Sequence, residues 1–253
     1  MTTNSINNRC LNDFLVTKSS NGTTVTKTIS ETSDSATSAA ELNIRVVGAT
    51  SGDAWAAWCV GTTNQYALGI DNSDEDRLKL TYAASGVNPS SAAGIMHFTL
   101  GGEVRKPLQP CFLATKSAMS NNVTGDSTGY IIICDSERVD QNSDYNNATG
   151  VFTAPVTGKY LLGGRLCYTN GSSSNRALCY INTTSNVYYG ERFNTSNYDN
   201  ASNVATCGVQ CLASMASGDT ATLEFLASGS TKTISVGGNA VYAETYFYGV
   251  LRE

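Results

Sequence analysis

Short runs of alternating apolar and polar residues recur along most of this chain, separated by turns rich in Gly, Asn, Asp and Ser. An alternation with a period of two is typical of β-strands, which point successive side chains to opposite faces of a sheet. A period near 3.6 residues, which would indicate helices, is almost absent. The pattern therefore predicts an all-β protein, whose strands in the first half are residues 42–47, 54–60, 65–70, 78–82 and 95–100.

A hairpin is predicted near the start of the chain, where Asn21-Gly22 separates alternating runs at 14–18 and 23–29. Asn-Gly is the strongest two-residue hairpin signal because both residues tolerate positive φ. The next segment, 30–40, is rich in Ser, Thr and Ala, and it fits either a loop or one short helix.

Pro107 and Pro110 mark a predicted boundary between two modules. Proline cannot donate a hydrogen bond to a strand ladder, and two prolines so close together favour an extended linker. A chain of 253 residues is long enough for one large or two ordinary hydrophobic cores. We therefore expect a smaller N-terminal β-rich module and a C-terminal domain. They span residues 1–106 and 107–253, and the first two strands of the C-terminal domain are expected at 111–116 and 129–134.

The C-terminal domain contains Val151-Phe152-Thr153-Ala154-Pro155-Val156-Thr157-Gly158-Lys159-Tyr160, later Gly218-Asp219, and finally Phe247-Tyr248-Gly249-Val250-Leu251. In this order and spacing, these segments resemble the globular head of complement component 1q and the tumour-necrosis-factor-like jelly rolls. The resemblance implies a jelly-roll sandwich that assembles as a homotrimer and works as a binding head, not as an enzyme. It also makes three closing-strand residues candidates for the core or for the threefold contact: Tyr246, Phe247 and Tyr248.

The N-terminal module contains Gly52-Asp53-Ala54-Trp55, the turn-containing segment 68–80, and Leu100-Gly101-Gly102-Glu103-Val104. Together these segments are similar to the β-rich modules that precede receptor-binding tips in bacteriophage tail-fibre and related virion proteins. This second resemblance implies a virion protein, assembled in the host cytoplasm, whose residues 1–106 attach it to other virion proteins.

Charged residues make up 15% of the chain and its formal net charge is −5, with a sequence pI near 4.9. Because no basic cluster offsets this charge, we expect no nucleic-acid partner. No window holds the roughly 18 apolar residues that span a bilayer, and the first residues lack the apolar core of a signal peptide. We therefore expect neither membrane insertion nor export, and eight cysteines that stay reduced.

Few residues offer catalytic or metal-binding chemistry. The single histidine, His97, lies in the apolar run 95–100 and has no credible nucleophile partner, and no C-x-x-C motif occurs. We therefore expect no enzyme activity, no cofactor and no structural metal site. The densest carboxylate group fits a solvated turn or, as the alternative, a calcium site, and it consists of Asp71, Asp74, Glu75 and Asp76.

The sequence has more residues suited to binding a ligand, because 13 tyrosines are unevenly spread among short amide and hydroxyl side chains. A tyrosine ring stacks on a sugar or a peptide while neighbouring Asn and Ser side chains form hydrogen bonds. The alternative is that these rings pack within the jelly roll or at a subunit interface. The region with the most such residues gives four candidate ligand-binding residues: Tyr188, Tyr189, Arg192 and Tyr198.

These observations predict a phage fibre or spike protein whose trimeric head binds a host surface polysaccharide or protein during adsorption. Three weak sites on one rigid head would bind a repetitive surface with an effective-concentration gain of about 10² or more. One alternative is a structural protein of the capsid, namely a decoration, cement or head-fibre protein. A secreted complement-like lectin is the third interpretation, and the missing signal peptide counts against it.

Overall fold

The computed structural model describes residues 44, 52–60, 64–90, 93–194 and 204–252. Apart from Ile44, the predicted strand at 42–47 lies outside the described residues, as do the hairpin around Asn21-Gly22 and the segment 30–40. Within the described ranges the regular structure is β-strand, with one 3-10 turn at Gly171–Ser173. The prediction of an all-β protein is confirmed.

The first strands form an antiparallel meander, which we call the meander sheet. The predicted strands from residue 54 onward agree with it to within two residues at each end. Its strands are β1 (Ala54–Val60), β2 (Asn64–Asp71), β3 (Arg77–Ala83), β4 (Ala93–Phe98) and β5 (Val104–Arg105), each paired with the next.

The later strands form a two-layered sandwich. The first layer, called the β12 sheet, runs in the order β9 (Ser136–Asp140), β6 (Cys111–Thr115), β18 (Tyr246–Leu251), β12 (Gly158–Thr169) and β15 (Val204–Met215). Two short strands continue this layer from the C-terminal end of β12, namely β17 (Ile234–Val236) and then β7 (Ser120–Thr124).

The second layer, called the β13 sheet, runs in the order β10 (Tyr145–Asn146), β11 (Val151–Thr153), β16 (Thr220–Ser228), β13 (Arg176–Thr183) and β14 (Val187–Phe193). The short strand β8 (Gly129–Ile131) also pairs with β16. The chain crosses between the layers after β12 and again before β15, so that β12 pairs with β15 and β18, and β13 pairs with β16. This connectivity is that of a jelly-roll sandwich, as predicted for the C-terminal domain.

Aromatic rings fill the centre of the core between the two layers. Phe112 stacks on Phe152 and on Tyr145, with ring centroids 4.8 and 5.0 Å apart. The ring of Phe247 is fully buried and contacts the Phe112 ring edge-on, with ring centroids 5.0 Å apart. Offset and edge-on contacts at these distances favour ring pairs beyond their simple burial, so aromatic residues of four strands, two in each layer, hold the layers together.

The segment that joins the meander sheet to the sandwich is a hydrogen-bonded turn, not the extended linker that the two prolines predicted. The N–H of Gln109 donates to the carbonyl of Lys106 at 3.1 Å. The side chain of Gln141 donates to the carbonyls of Lys106 and Gln109, both at 2.8 Å, and the side chain of Gln109 donates to the carbonyl of Leu251 at 2.7 Å. Proline presets the φ of a turn as readily as that of an extended chain, and partners distant in sequence select the turn here.

The predicted second strand of the sandwich, 129–134, is also corrected. Only Gly129–Ile131 forms a strand, and it joins the β13 sheet. A strand that the hydrophobic pattern does not reveal, β7, precedes it, because its sequence Ser-Asn-Asn-Val-Thr is almost wholly polar.

A fragment of residues 106–253 is expected to fold cooperatively without the meander sheet, because the strand pairings of the sandwich lie within it. A fragment of residues 111–253 lacks the turn held by Gln109 and Gln141, and should be less stable by about 1 kcal/mol for each lost hydrogen bond. Urea unfolding followed by circular dichroism measures both. Recovery of the longer fragment only as aggregate would mean that the meander sheet is part of one inseparable domain.

Candidate recognition surface

The edge strand β14 carries three of the four predicted ligand-binding residues, but they do not share a face. Tyr188 lies opposite the fully buried Ile181 and is itself packed against the core. Tyr189 lies opposite Tyr180 and is 61% exposed. Since neighbouring residues of a strand point to opposite faces, Tyr188 is a packing residue while Tyr189 belongs to the outer surface.

A β-bulge in β14 brings Arg192 to the same outer face as Tyr189. Arg192 lies opposite Leu178, whereas Tyr189 lies opposite Tyr180, so that three steps along β14 match two along β13. One extra residue in a strand re-aims the side chains on either side of it. As a result, Cζ of Arg192 lies 5.4 Å from the centroid of the Tyr189 ring, within cation–π distance. We call these two residues the edge pair.

A polar cluster lies beside the edge pair on the outer face of the β13 sheet. The carboxylate of Glu224 accepts hydrogen bonds from the hydroxyl of Tyr180 at 2.8 Å, the side-chain amide of Asn182 at 2.9 Å and the hydroxyl of Thr222 at 2.8 Å. Burial and then the bond to Glu224 raise the pKa of Tyr180 above its ordinary value, so this phenol remains a protonated donor. The fixed carboxylate holds all three side chains in one arrangement.

One row of the register joins the polar cluster to the edge pair. Tyr189, Tyr180, Glu224 and Ile131 lie directly opposite one another on four neighbouring strands. The rings of Tyr180 and Tyr189 are 5.9 Å apart, and Ile131 is 42% exposed at the other end of the row. The row forms a shelf with an aromatic end, a polar middle and an aliphatic end.

The edge strand is held firmly against β15 of the other layer. A Cβ added at Gly190 would collide with the carbonyl oxygen of Gly208 and with Val209, so only glycine permits this approach. The carboxylate of Glu191 accepts the N–H of Gly208 at 3.0 Å. The edge pair therefore stands on a strand fixed from two sides.

Two further tyrosines have other placements. Tyr198, the fourth predicted ligand-binding residue, lies outside the described residues. Tyr168, which the sequence places beside a polar loop, is fully buried and packs on Phe225 with ring centroids 5.0 Å apart. It is part of the core, because the alternation of β12 points it between the layers.

The closing strand places Tyr246 and Tyr248, both half-buried, on the outer face of the β12 sheet, while Phe247 between them faces the core. The side-chain amide of Gln210 donates to the hydroxyl of Tyr248 at 2.7 Å. Both tyrosines line an open cleft of about 430 Å3, which Arg165 also lines. Thus the predicted core and assembly residues divide between the two faces of one strand.

The carboxylates of the β2–β3 turn hold a buried lysine. The ammonium of Lys79 lies 2.6 Å from a carboxylate oxygen of both Asp71 and Asp74. Burial alone would raise the pKa of Asp71, but hydrogen bonds from Lys79 and Ser73 outweigh it and hold the pKa below its ordinary 3.8. Since Asp71 is only 2% exposed, the interpretation of this group as a solvated turn is wrong for Asp71.

The cysteines within the described ranges form no disulfide bond. The thiols of Cys179 and Cys207 hydrogen-bond to each other between the layers, and this contact together with burial raises the pKa of Cys207. Burial also raises the pKa of Cys134 to about 12. Such thiols behave as small core residues and are poor nucleophiles.

The described ranges lack two further features. They contain no group of three or more His, Cys, Asp or Glu side chains that could hold a metal ion. They also contain no helix of the length and hydropathy required to cross a membrane.

Sequence reasoning missed Glu224, Asn182 and Thr222, although a signal for them exists. Strand β16 reads Thr-Ala-Thr-Leu-Glu-Phe-Leu-Ala-Ser, whose alternation sets Thr222 and Glu224 on the face opposite the buried Leu223 and Phe225. What the alternation cannot supply is the neighbouring strand, because Asn182 meets Glu224 across a gap of 42 residues.

No protein-family model matches the chain, and no curated protein matches it. Solved structures match part of the chain. The globular domain of zebrafish complement 1qA is 17% identical, covers 57% of this chain and 98% of its own, and superposes with a TM-score of 0.39. Murine APRIL is 9% identical, with a TM-score of 0.40 and coverage of 57% and 99%. Eiger TNF from S. frugiperda is 11% identical, with a TM-score of 0.42 and coverage of 57% and 93%.

Proposed function

We propose that this protein is a non-catalytic, homotrimeric recognition head of a virion fibre or spike, and that it binds a host surface polysaccharide or protein. The observation that carries the proposal is the exposed edge pair, Tyr189 and Arg192, set beside the Glu224 cluster on a rigid strand. Aromatic and arginine side chains on a fixed support are the usual anchors of a binding surface.

The shelf suits a saccharide or a polar peptide better than a compact metabolite. The ring of Tyr189 offers a flat apolar face, and the Glu224 cluster offers hydroxyl and amide groups in the same row of the sheet and in the row beside it. A sugar ring has the same division into an apolar face and a polar rim. An extended polymer could follow the row from Tyr189 towards Ile131.

Assembly is supported by the outer face of the β12 sheet. Two cross-strand rows of this face are mainly apolar, and Leu212 is 56% exposed and Val139 45% exposed at their ends. A contiguous apolar area of this kind marks an interaction surface. Its apolar and aromatic members are Leu113, Val139, Leu161, Leu212, Tyr248 and Val250.

The two surfaces lie on opposite layers of the sandwich, because the edge pair belongs to the outer face of the β13 sheet. Packing through the β12 sheet would therefore leave three recognition shelves facing away from the contact. When one of three copies on a rigid body has bound a repetitive surface, the other two meet their ligands at an effective concentration of about millimolar order, which raises the overall affinity. This explains how individually weak polar sites could retain a particle on a cell.

Replacing Tyr189 and Arg192 together by Ala is expected to weaken binding to cells or surface polysaccharides by about a hundredfold or more, because such anchors each contribute about 2 kcal/mol and every 1.4 kcal/mol is tenfold. Folding should be little changed, since both side chains are exposed. The matched control is Val187→Ala on the same strand, which is 44% exposed and should bind as the original protein does. Labelled full-length protein is titrated against a panel of cells and purified polysaccharides.

A decoration protein would give the opposite pattern. Its residues 1–106 would direct incorporation into particles, and the full chain would bind none of the host cells in the panel. If the double variant bound as tightly as the Val187→Ala control, the edge pair would not be part of the recognition surface.

A further inference from the structure

The meander sheet has an apolar face on which no other described part of the chain packs. Its register aligns three rows whose side chains point to the same side, and none of them is charged. Trp58 is 56% exposed, Tyr66 45%, Tyr82 39% and Val104 51%. The residues of this apolar face are Ala54, Ala56, Trp58, Tyr66, Leu68, Ile70, Leu78, Leu80, Tyr82, Met96, Phe98 and Val104.

The charged side chains of these strands lie on the opposite face, which is the better covered one. Lys79 is only 8% exposed there, beside Asp71. The loop at 84–90 folds over this side, since the N–H of Val87 donates to the side chain of Gln65 at 3.1 Å and Val87 is 2% exposed. Antiparallel sheets normally bury their apolar face and leave the polar face to solvent, and within the described ranges the meander sheet does the reverse.

A single sheet with a bare apolar face needs a second layer, because stable domains are built from at least two packed layers. We propose that further copies of this chain supply that layer, and that three meander sheets pack their apolar faces together around one axis. This inference rests on the trimeric assembly proposed above and adds a second contact to it.

The absence of charge favours a copy of the same chain as the occupant. When identical faces meet around one axis, any charge close to the axis lies near its own copies, and like charges at an interface cost several kcal/mol. The apolar face avoids that cost, since its charged neighbours Asp71, Arg77 and Lys79 all point the other way. A partner of different sequence would place no such constraint on this face.

The small size of the apolar face also favours a partner sheet that the association of the sandwiches has already brought close. Three half-exposed rings, those of Trp58, Tyr66 and Tyr82, present about 300 Å2 between them, taking about 200 Å2 for a whole ring side chain. A standard interface needs about 800 Å2 from each partner. The apolar face alone is therefore a weak contact, and it suits sheets that another interface has already brought together.

The connection between the two parts of the chain provides that proximity. The turn at 106–109 is hydrogen-bonded to the sandwich through Gln109 and Gln141. The bulge residue of β4, Ile95, lines a cleft of about 280 Å3 together with Leu108 and Leu251. A sheet tied so closely to the sandwich would be carried to the axis when three sandwiches associate.

The two tryptophans make this proposal testable, because both lie on β1 and point to opposite faces of the sheet. The full-length Trp55→Phe variant retains Trp58 on the apolar face, and the Trp58→Phe variant retains Trp55 on the charged face. Acrylamide quenching of each is measured beside the mass from light scattering. We expect a trimer in which Trp58 is quenched several-fold less than in the Leu68→Glu variant, while Trp55 is unaffected by that substitution.

The matched control is Ala57→Glu, which introduces the same charge at an exposed position of the opposite face and should leave Trp58 protected. Tyr82→Ser, a milder change on the apolar face, is used if Leu68→Glu fails to fold, and it should expose Trp58 partially. A trimer in which Trp58 is freely quenched would overturn this contact and leave the assembly of the sandwich standing. A monomer would overturn both, and a protected Trp58 in a monomer would show that the chain covers the face itself.

Discussion

Phe247→Ala is expected to destabilise the sandwich by about 3–5 kcal/mol, a large part of the 5–15 kcal/mol that holds a typical domain. The ring is fully buried and its centroid lies 5.0 Å from that of Phe112 and 6.1 Å from that of Tyr145, so the substitution leaves a cavity among these rings. Phe247→Asp should prevent folding, because a buried, unpaired carboxylate adds several kcal/mol more.

Guanidinium unfolding followed by near-ultraviolet circular dichroism measures this effect. Tyr246→Ala, on the same strand but on its outer face, is the matched control and should change the free energy of unfolding much less. It tests assembly rather than the core. If Phe247→Ala unfolded within about 1 kcal/mol of the original protein, the aromatic cluster would not be the centre of the core.

Lys79→Ala is expected to destabilise the meander sheet by about 3–5 kcal/mol, because it leaves Asp71 buried without its cation. Lys79 and Asp71 are 8% and 2% exposed, and Asp71 has its remaining partners in Ser73. Tryptophan emission reports on this sheet alone, since both tryptophans lie in β1. Arg77→Ala, which breaks partly exposed pairs with Asp74 and Glu75, is the control and should cost about 1 kcal/mol or less.

The same ion pairs set the pH range in which the meander sheet is most stable. Lys79 lowers the pKa of Asp71 and that of Asp74 from 3.8. These carboxylates therefore add their full contribution to the free energy of unfolding above pH 3.8, and that contribution is lost as the pH falls through the lowered values. Burial lowers the pKa of His97 from 6.5. The neutral imidazole therefore stabilises the sheet above pH 6.5, and this stabilisation is lost as the pH falls. The net pKa of Lys79 is raised above 10.5, because its carboxylate partners outweigh burial, and its contribution is lost at still higher pH.

Stability of the meander sheet should therefore be flat between about pH 6.5 and 10.5 and should fall in two stages below it. Tryptophan-monitored urea melts across this range measure the profile. In Lys79→Ala the acid stage near the carboxyl pKa values should shrink, and an unchanged profile would mean that Lys79 does not hold these carboxylates.

The hydrophobic pattern was sufficient to predict strands that carry a regular alternation. Ala54–Val60 agrees with prediction at both ends, and the aromatic closing strand lies where its motif placed it. The polar strand Ser120–Thr124 gave no such signal, because its pairing with Ile234–Val236 joins residues more than 100 positions apart. The turn at 106–109 escaped prediction for the same reason, since Gln141 stabilises it from outside the local sequence.

The recognition surface was predictable in composition but not in geometry. The tyrosine-rich segment around β14 was found, yet its pattern could not show which of Tyr188 and Tyr189 faces the core. That choice follows from the pairing of Tyr188 with Ile181 and from the bulge that returns Arg192 to the face of Tyr189. Bulges depend on the partner strand as much as on the bulged residues, and a single sequence does not specify the partner.

The mass of the native full-length chain tests the proposed assembled head most directly. Light scattering after size exclusion at micromolar concentration should give three times the chain mass of 26.7 kDa. Leu212→Glu, on the outer face of the β12 sheet, should lower that mass without unfolding the sandwich. A single species of 26.7 kDa for the unsubstituted chain would contradict the trimeric recognition head.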